Sequence, residues 1–149
     1  RLLSLVEGRI VETLLGVRMP RRPLYTQRDK PWLKRLGELF TESATGYGAT
    51  GRQAIIERVR EHLGGCGPSQ HLLGNHRVQL AFHGDEDRAR SLTYARVLHL
   101  GAGDQSDLSY ECFGEYSDLW TRTPEGWRID SRRFHISFDR GDFRTLQPG

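Results

Sequence analysis

Apolar positions fall at helical spacing near the start of the chain and at every second position near its end. Leu2, Leu3, Leu5, Val6, Ile10, Val11, Leu14 and Leu15 recur three to four apart, which predicts an amphipathic helix over 2–16. Gly16, Pro20 and Pro23 end it. Residues 18–30 hold no period and read as a long irregular connection, a kind of segment that is more often functional than a short one. Pro31 suits the first turn of a second helix carrying Trp32, Leu33, Leu36, Leu39 and Phe40. Thr41 to Tyr47 reads as a short strand and Gly48 to Gly51 as a turn. Ala54, Ile55, Ile56, Val59, His62 and Leu63 mark a third helix, stopped by Gly64 and Gly65.

Beyond Pro68 the period changes to two. His71 to Phe82 and Ala89 to Leu100 read as strands, and Ser106 to Arg140 as a hairpin of two long strands turning at Thr123-Pro-Glu-Gly126. Proline presets φ at the turn and glycine accepts a positive one. On the first hairpin strand Leu108, Tyr110, Cys112, Tyr116, Asp118 and Trp120 share a face, so Asp118 is an acid among apolar neighbours. The return strand breaks step: Trp127 and Ile129 are odd, whereas Phe134, Ile136 and Phe138 are even. One extra residue between Asp130 and Arg133, a β-bulge, repairs the pattern. His71 meets the same difficulty, joining Val78 and Leu80 only if the strand is irregular near Gly74. Helices followed by antiparallel strands in series predict an α+β architecture, one curled sheet wrapped over about three helices with a cavity inside the curl.

Composition narrows the class. At 149 residues, 36% hydrophobic and 28% charged, the chain fits one domain over 1–149 with a single sizeable core. It has no apolar run of about 18 residues, which argues against a membrane-spanning helix. Glu7, Arg9 and Glu12 interrupt the opening apolar residues, unlike a signal peptide, and Arg1 in place of methionine points to a trimmed chain. Two cysteines, Cys66 and Cys112, are too few for a disulfide framework or a zinc site, which points to the cytoplasm. The six histidines show no metal-ligand spacing, so neither a metal nor another cofactor is expected. Net charge +3, clustered at 18–22 and 128–133 without a dense basic stripe, argues against nucleic acid as a partner.

Five blocks carry a resemblance: Leu39-Phe-Thr-Glu-Ser-Ala44, Gly51-Arg-Gln-Ala-Ile55, His71-Leu-Leu-Gly-Asn75, Gly114-Glu-Tyr-Ser-Asp118 and Arg122-Thr-Pro-Glu-Gly-Trp-Arg-Ile129. In order and spacing they resemble the NTF2-like superfamily, and within it the SnoaL-like branch of polyketide cyclases, scytalone dehydratase and lindane dehydrochlorinase. The resemblance implies a cone-shaped α+β barrel with a pocket in its curved sheet, frequently a homodimer. It also implies a histidine base at the start of the first long strand, oriented by an aspartate between the first helices. His71 matches the histidine. Counting back from Leu39-Phe40 puts Asp29 on the aspartate position, while counting forward from Leu15-Gly-Val17 puts Arg18 there; the block after Asp29 matches better. Arg132 resembles a pocket arginine of the dehydrochlorinase.

The chemistry follows from these residues. A neutral imidazole acting as base needs a carboxylate to fix its tautomer, so the expected catalytic set is His71, Asp29, Tyr25 and Asp118, the last two polarising or protonating an oxygen. Tyr110, Tyr116, Trp120, Arg132, His135 and Asn75 are expected to line the substrate, with Asp139 a further cavity candidate. The reaction is dehydration, cyclisation or isomerisation of a small, largely apolar, polyketide- or terpenoid-like molecule. The competing readings are a non-catalytic ligand-binding or dimerisation module on the same fold, and an epoxide hydrolase using Asp118, Arg132 and Asp29.

Overall fold

The structure, a computed structural model, describes residues 36–146. The helix predicted over 2–16, the connection over 18–30 and most of the helix opened by Pro31 lie outside them. Residues 36–38 are helical, and the chain then enters β1 (Phe40–Gly46). Phe40 was expected at a helix end. It is instead the first strand residue, fully buried and paired with Ile129, while the Ile129 N–H donates to the Leu39 carbonyl at 2.7 Å. The short β2 (Ala49–Thr50) leads into α1 (Arg52–Leu63), and four long strands follow: β3 (Ser69–Leu80), β4 (Arg88–Leu100), β5 (Ser109–Thr123) and β6 (Gly126–Gly141). Among the described residues α1 is the one helix of more than a turn.

All six strands form one open, curved sheet in the order β2-β1-β6-β5-β4-β3. Every pairing is antiparallel except β1 with β6. The β5–β6 hairpin closes at Thr123 and Gly126, where φ at Gly126 is 109°, as the turn residues predict.

Three single-residue irregularities adjust the long strands. Trp120 pairs with Ile129 and Leu119 with Ser131, so Asp130 is the extra residue of the bulge expected between Asp130 and Arg133. In β3, Gly74 pairs with Tyr94 and Arg77 with Leu92, which leaves Asn75 and His76 opposite Thr93. A further bulge, not foreseen, lies at Ser137, between the pairs Gly114–Ile136 and Phe113–Phe138.

With these in place one face carries an unbroken set of cross-strand rows. At one end Leu80, Ala89, Trp120 and Ile129 align, and next to them Val78, Ser91, Asp118 and Arg132. Ile55 and Val59 of α1 pack on that end with Leu36, Phe40 and Ala44, forming the main core. Arg52 ties the helix to β1 by donating from Nε and Nη2 to the Phe40 carbonyl, at 3.0 and 2.7 Å. At the other end Ala95, Val97, Tyr110, Cys112 and Tyr116 form a second cluster, on which Leu73, Phe134 and Leu146 pack.

Between its two bulges β6 presses hard on β5. A Cβ on Gly114 would stand 2.1 Å from the His135 carbonyl oxygen, whereas one on Gly74 would meet nothing within 4 Å. Gly114→Ala is therefore expected to lose about 1–3 kcal/mol in urea unfolding, the range for forced overpacking. Gly74→Ala should stay within about 1 kcal/mol of wild type, and equal losses would contradict this register.

Candidate active site on the concave face

The irregularity at Asn75 decides the position of His71. Because β3 gains a residue there, His71 and Leu73 share the inner face with Val78 and Leu80, paired with Val97 and Ala95. Asn75 itself is exposed and has a left-handed φ of 51°. The side chain that turns inward beside it belongs to His76, whose Nδ1 is 3.0 Å from the Thr93 hydroxyl.

His71 is open to solvent on one side, with protein packed around the others. That partial burial, and then the positive charge of Arg132, lower its pKa to about 4. The imidazole is neutral near neutral pH. His99, in the neighbouring row, meets it edge-on at 5.5 Å between ring centroids. The His99 Nδ1 lies 2.7 Å from the Ser69 hydroxyl, and burial followed by the His71 charge brings its pKa to about 4 as well. Sequence reasoning passed over His99, although the alternation Ala89, Ser91, Thr93, Ala95, Val97, His99 along β4 marks one buried face.

Asp118 and Arg132 stand opposite each other on β5 and β6 and form a two-pronged ion pair, with both Nε–Oδ1 and Nη2–Oδ2 at 2.7 Å. Asp118 is fully buried and Arg132 8% exposed. Burial alone would lower the Arg132 pKa, but the Asp118 carboxylate holds it well above its ordinary value. The guanidinium lies over the Tyr116 ring, 4.7 Å from its centroid, and Tyr47 adds to the field around both groups. Both oxygens of Asp118 are engaged, so its first role is to hold Arg132 in place. Tyr47, at the end of β1 with φ 52°, carried no signal in the sequence, because only the parallel β1–β6 pairing brings it here.

The remaining expected residues divide between the two faces. Tyr110, Tyr116 and Arg132 are on the concave face, with Tyr116 stacked on Phe134 at 4.5 Å and the Tyr110 hydroxyl donating to Asp139 at 2.7 Å. Trp120 shares that face but is fully buried in the main core, donating from Nε1 to the Ser91 hydroxyl at 2.8 Å. His135 alternates with Phe134 and Ile136 and pairs with Glu115, which puts it on the convex face. Asp29, Tyr25 and Arg18 lie outside the described residues, where no His71–Asp29 distance can be drawn. Among the described residues no group of three or more His, Cys, Asp or Glu is placed to hold a metal ion, and no helix is long and apolar enough to cross a membrane.

An open curved sheet with a bulged return strand and a helix at one end of its concavity is the NTF2-like arrangement. The chain belongs to the SnoaL-like domain family, whose model matches residues 27–133. Its fold is similar to a protein of Novosphingobium aromaticivorans provisionally named a scytalone dehydratase, at TM-score 0.69 and 19% identity over 97% of this chain and 94% of that one. It is also similar to the type-3 hexachlorocyclohexane dehydrochlorinase of Novosphingobium barchaimii, at TM-score 0.62 and 16% identity over 95% and 94%. A second N. aromaticivorans protein, provisionally named an aromatic ring hydroxylase, reaches 0.66 and 18% over 96% and 94%. Identities this low establish the shared fold and leave the reaction open. No curated protein matches the sequence.

The depressed histidines give a pH signature. His99 stays neutral in the folded chain down to about pH 4, whereas unfolded histidine takes up its proton near 6.5. Between those values the unfolded state binds more protons, so stability rises with pH across the window and is fully present above about 6.5. Urea midpoints should fall between pH 6.5 and 4.5, and His99→Gln should remove on the order of 2–3 kcal/mol of that dependence. An unchanged pH dependence in the variant would show that His99 is not buried neutral.

Proposed function

We propose that this chain is a small-molecule enzyme that moves protons on a largely apolar substrate held against the concave face, with His71 as base. The observation that carries this reading is an accessible, neutral imidazole that feels the charge of a buried, fixed Arg132 across the concave face, with Tyr116, Phe134 and Ala95 forming an apolar floor. The free imidazole nitrogen takes a proton from carbon, and the electron pair left behind becomes a double bond. Either a leaving group departs on the neighbouring carbon, as in dehydration or loss of halide, or the proton returns elsewhere, as in isomerisation. Relatives of this fold named for dehydratase and dehydrochlorinase activities support the elimination branch. Arg132 steadies negative charge developing on oxygen or on the leaving group. The chain acts as one domain without a cofactor, in the cytoplasm. Leu72, Tyr94 and Phe138, exposed on the convex face, fit a homodimer.

A pKa of about 4 makes His71 a weak base at neutral pH. In this reading Asp29 is the carboxylate that fixes the imidazole's tautomer and stabilises the imidazolium it becomes as the proton is taken. The ion pair Asp118–Arg132 also supplies two of the three groups that an epoxide hydrolase would use, with Asp29 as the third. A diol formed from a cyclic epoxide, in place of an alkene from an alcohol or halide, would select that alternative.

The test is exchange of the α-proton of cyclic β-hydroxy ketones in heavy water, with elimination from the same ketones and from chlorinated cyclohexanes. His71→Ala should lower whichever rate is found by about 10²–10⁴-fold, and retention of wild-type rate would refute the assignment. The acid limb of kcat/KM in Asp29→Asn should lie at lower pH than that of wild type, because the carboxylate that stabilises the imidazolium is gone. Coincident limbs would remove Asp29 from the site.

A further inference from the structure

Phe138 and Asp139 are placed against the ordinary sorting of side chains. Along β6 the concave face receives Phe134 and Ile136, and a regular strand would add Phe138 next and turn Asp139 outward. The extra residue Ser137 reverses both. Phe138 is 61% exposed on the convex face, stacked on Phe113 at 4.4 Å, and Asp139 turns into the concavity opposite Cys112. Exposing a phenylalanine is unfavourable for folding, while Asp139 stays exposed at the open end of the concavity where a ligand can reach it, so the bulge points to a task for Asp139.

The surroundings of Asp139 define that task. Its row begins at His71 on β3 and crosses Val97 and Cys112, so base and carboxylate occupy the two ends of one line across the floor. The Tyr110 hydroxyl holds Oδ2 at 2.7 Å, and burial with this bond pushes the phenol well above its ordinary pKa, so it remains a donor. Phe143 buttresses the Tyr110 ring edge-on at 5.4 Å. One carboxylate oxygen is therefore fixed, and Oδ1 has no hydrogen-bond partner among the described residues. On this face the charges of Asp118 and Arg132 cancel. Apart from its histidines, Asp139 is the one uncompensated charge there among the described residues.

We propose that Asp139, oriented by Tyr110, is a binding residue of the concave site and accepts a hydrogen bond from the hydroxyl or ammonium head of a ligand. The ligand's apolar body lies over Ala95 and Phe134 with its reacting carbon toward His71, and a carboxylate or phosphate head is repelled. This inference rests on the reading that the concave face holds the substrate, but not on the reaction performed there.

The experiment is calorimetric titration of the full chain with three naphthalenes that differ in one head group: 2-naphthol, (2-naphthyl)methylammonium and 2-naphthoate. The first two should bind, each at least about tenfold more tightly than the third, the ratio expected for one hydrogen bond to a charged group. Asp139→Asn, close in shape and uncharged, should bring the three within about threefold of one another. Tyr110→Phe should weaken the preference while leaving the carboxylate present. Equal binding of all three heads, no binding by any of them, or an undiminished preference in Asp139→Asn would overturn the proposal. His71→Ala should keep the preference. A His71→Ala protein that also kept full turnover would refute the base assignment and leave the role of Asp139 standing.

Discussion

A β-strand has no freedom in where its side chains point: each residue takes the face opposite its neighbour, and a one-residue slip exchanges the faces for everything beyond it. In the long strands β3 and β6 that constraint is met by three inserted residues. The irregularity at Asn75 keeps His71 on the same face as Val78 and Leu80, Asp130 lets Ile129 and Arg132 share a face, and Ser137 sends Phe138 out and Asp139 in. Remove any one and part of the concave floor is replaced by residues now in solvent. The site is thus a property of strand register before it is a property of any single side chain.

Around that floor the energetics are graded along the strands. One end is closed by α1, Phe40 and Trp120, where buried apolar area supplies most of the stabilisation. The Asp118–Arg132 pair borders this end. A buried pair of this kind adds little net stability compared with apolar packing, yet losing one partner costs roughly 3–5 kcal/mol. Its contribution is to hold a guanidinium still on the concave face. The far end, with His71, His99, Tyr110 and Asp139, is more polar and more open, which suits it to exchange ligands.

Much of this was legible in the sequence. The long hairpin, its Pro-Glu-Gly turn, the common face of Tyr110 through Trp120 and the bulge beginning at Asp130 all follow from a period of two and its one visible break. The irregularity near Gly74 was legible only as a condition on His71. The Ser137 bulge was hidden because Phe134, Ile136 and Phe138 keep perfect alternation, so the pattern itself argued for a regular strand. Long-range pairing was hidden too. Nothing local to Tyr47 announces its approach to Tyr116 and Arg132, and Phe40 looks like a helix residue until β1 pairs with β6. Asp118 stands out in the sequence as an acid on an apolar face, but the arginine that faces it is in register only once Asp130 is inserted.

The most direct test is a nuclear Overhauser measurement on protein with labelled phenylalanine, tyrosine and histidine rings. The account predicts contacts between Phe138 and Phe113 on the convex face and between His71 and His99 on the concave face. Contacts from Phe138 to Tyr110 or Tyr116, or a His71 ring without contact to His99, would contradict it, because they would mean that the strands run in the regular register and the site is not assembled.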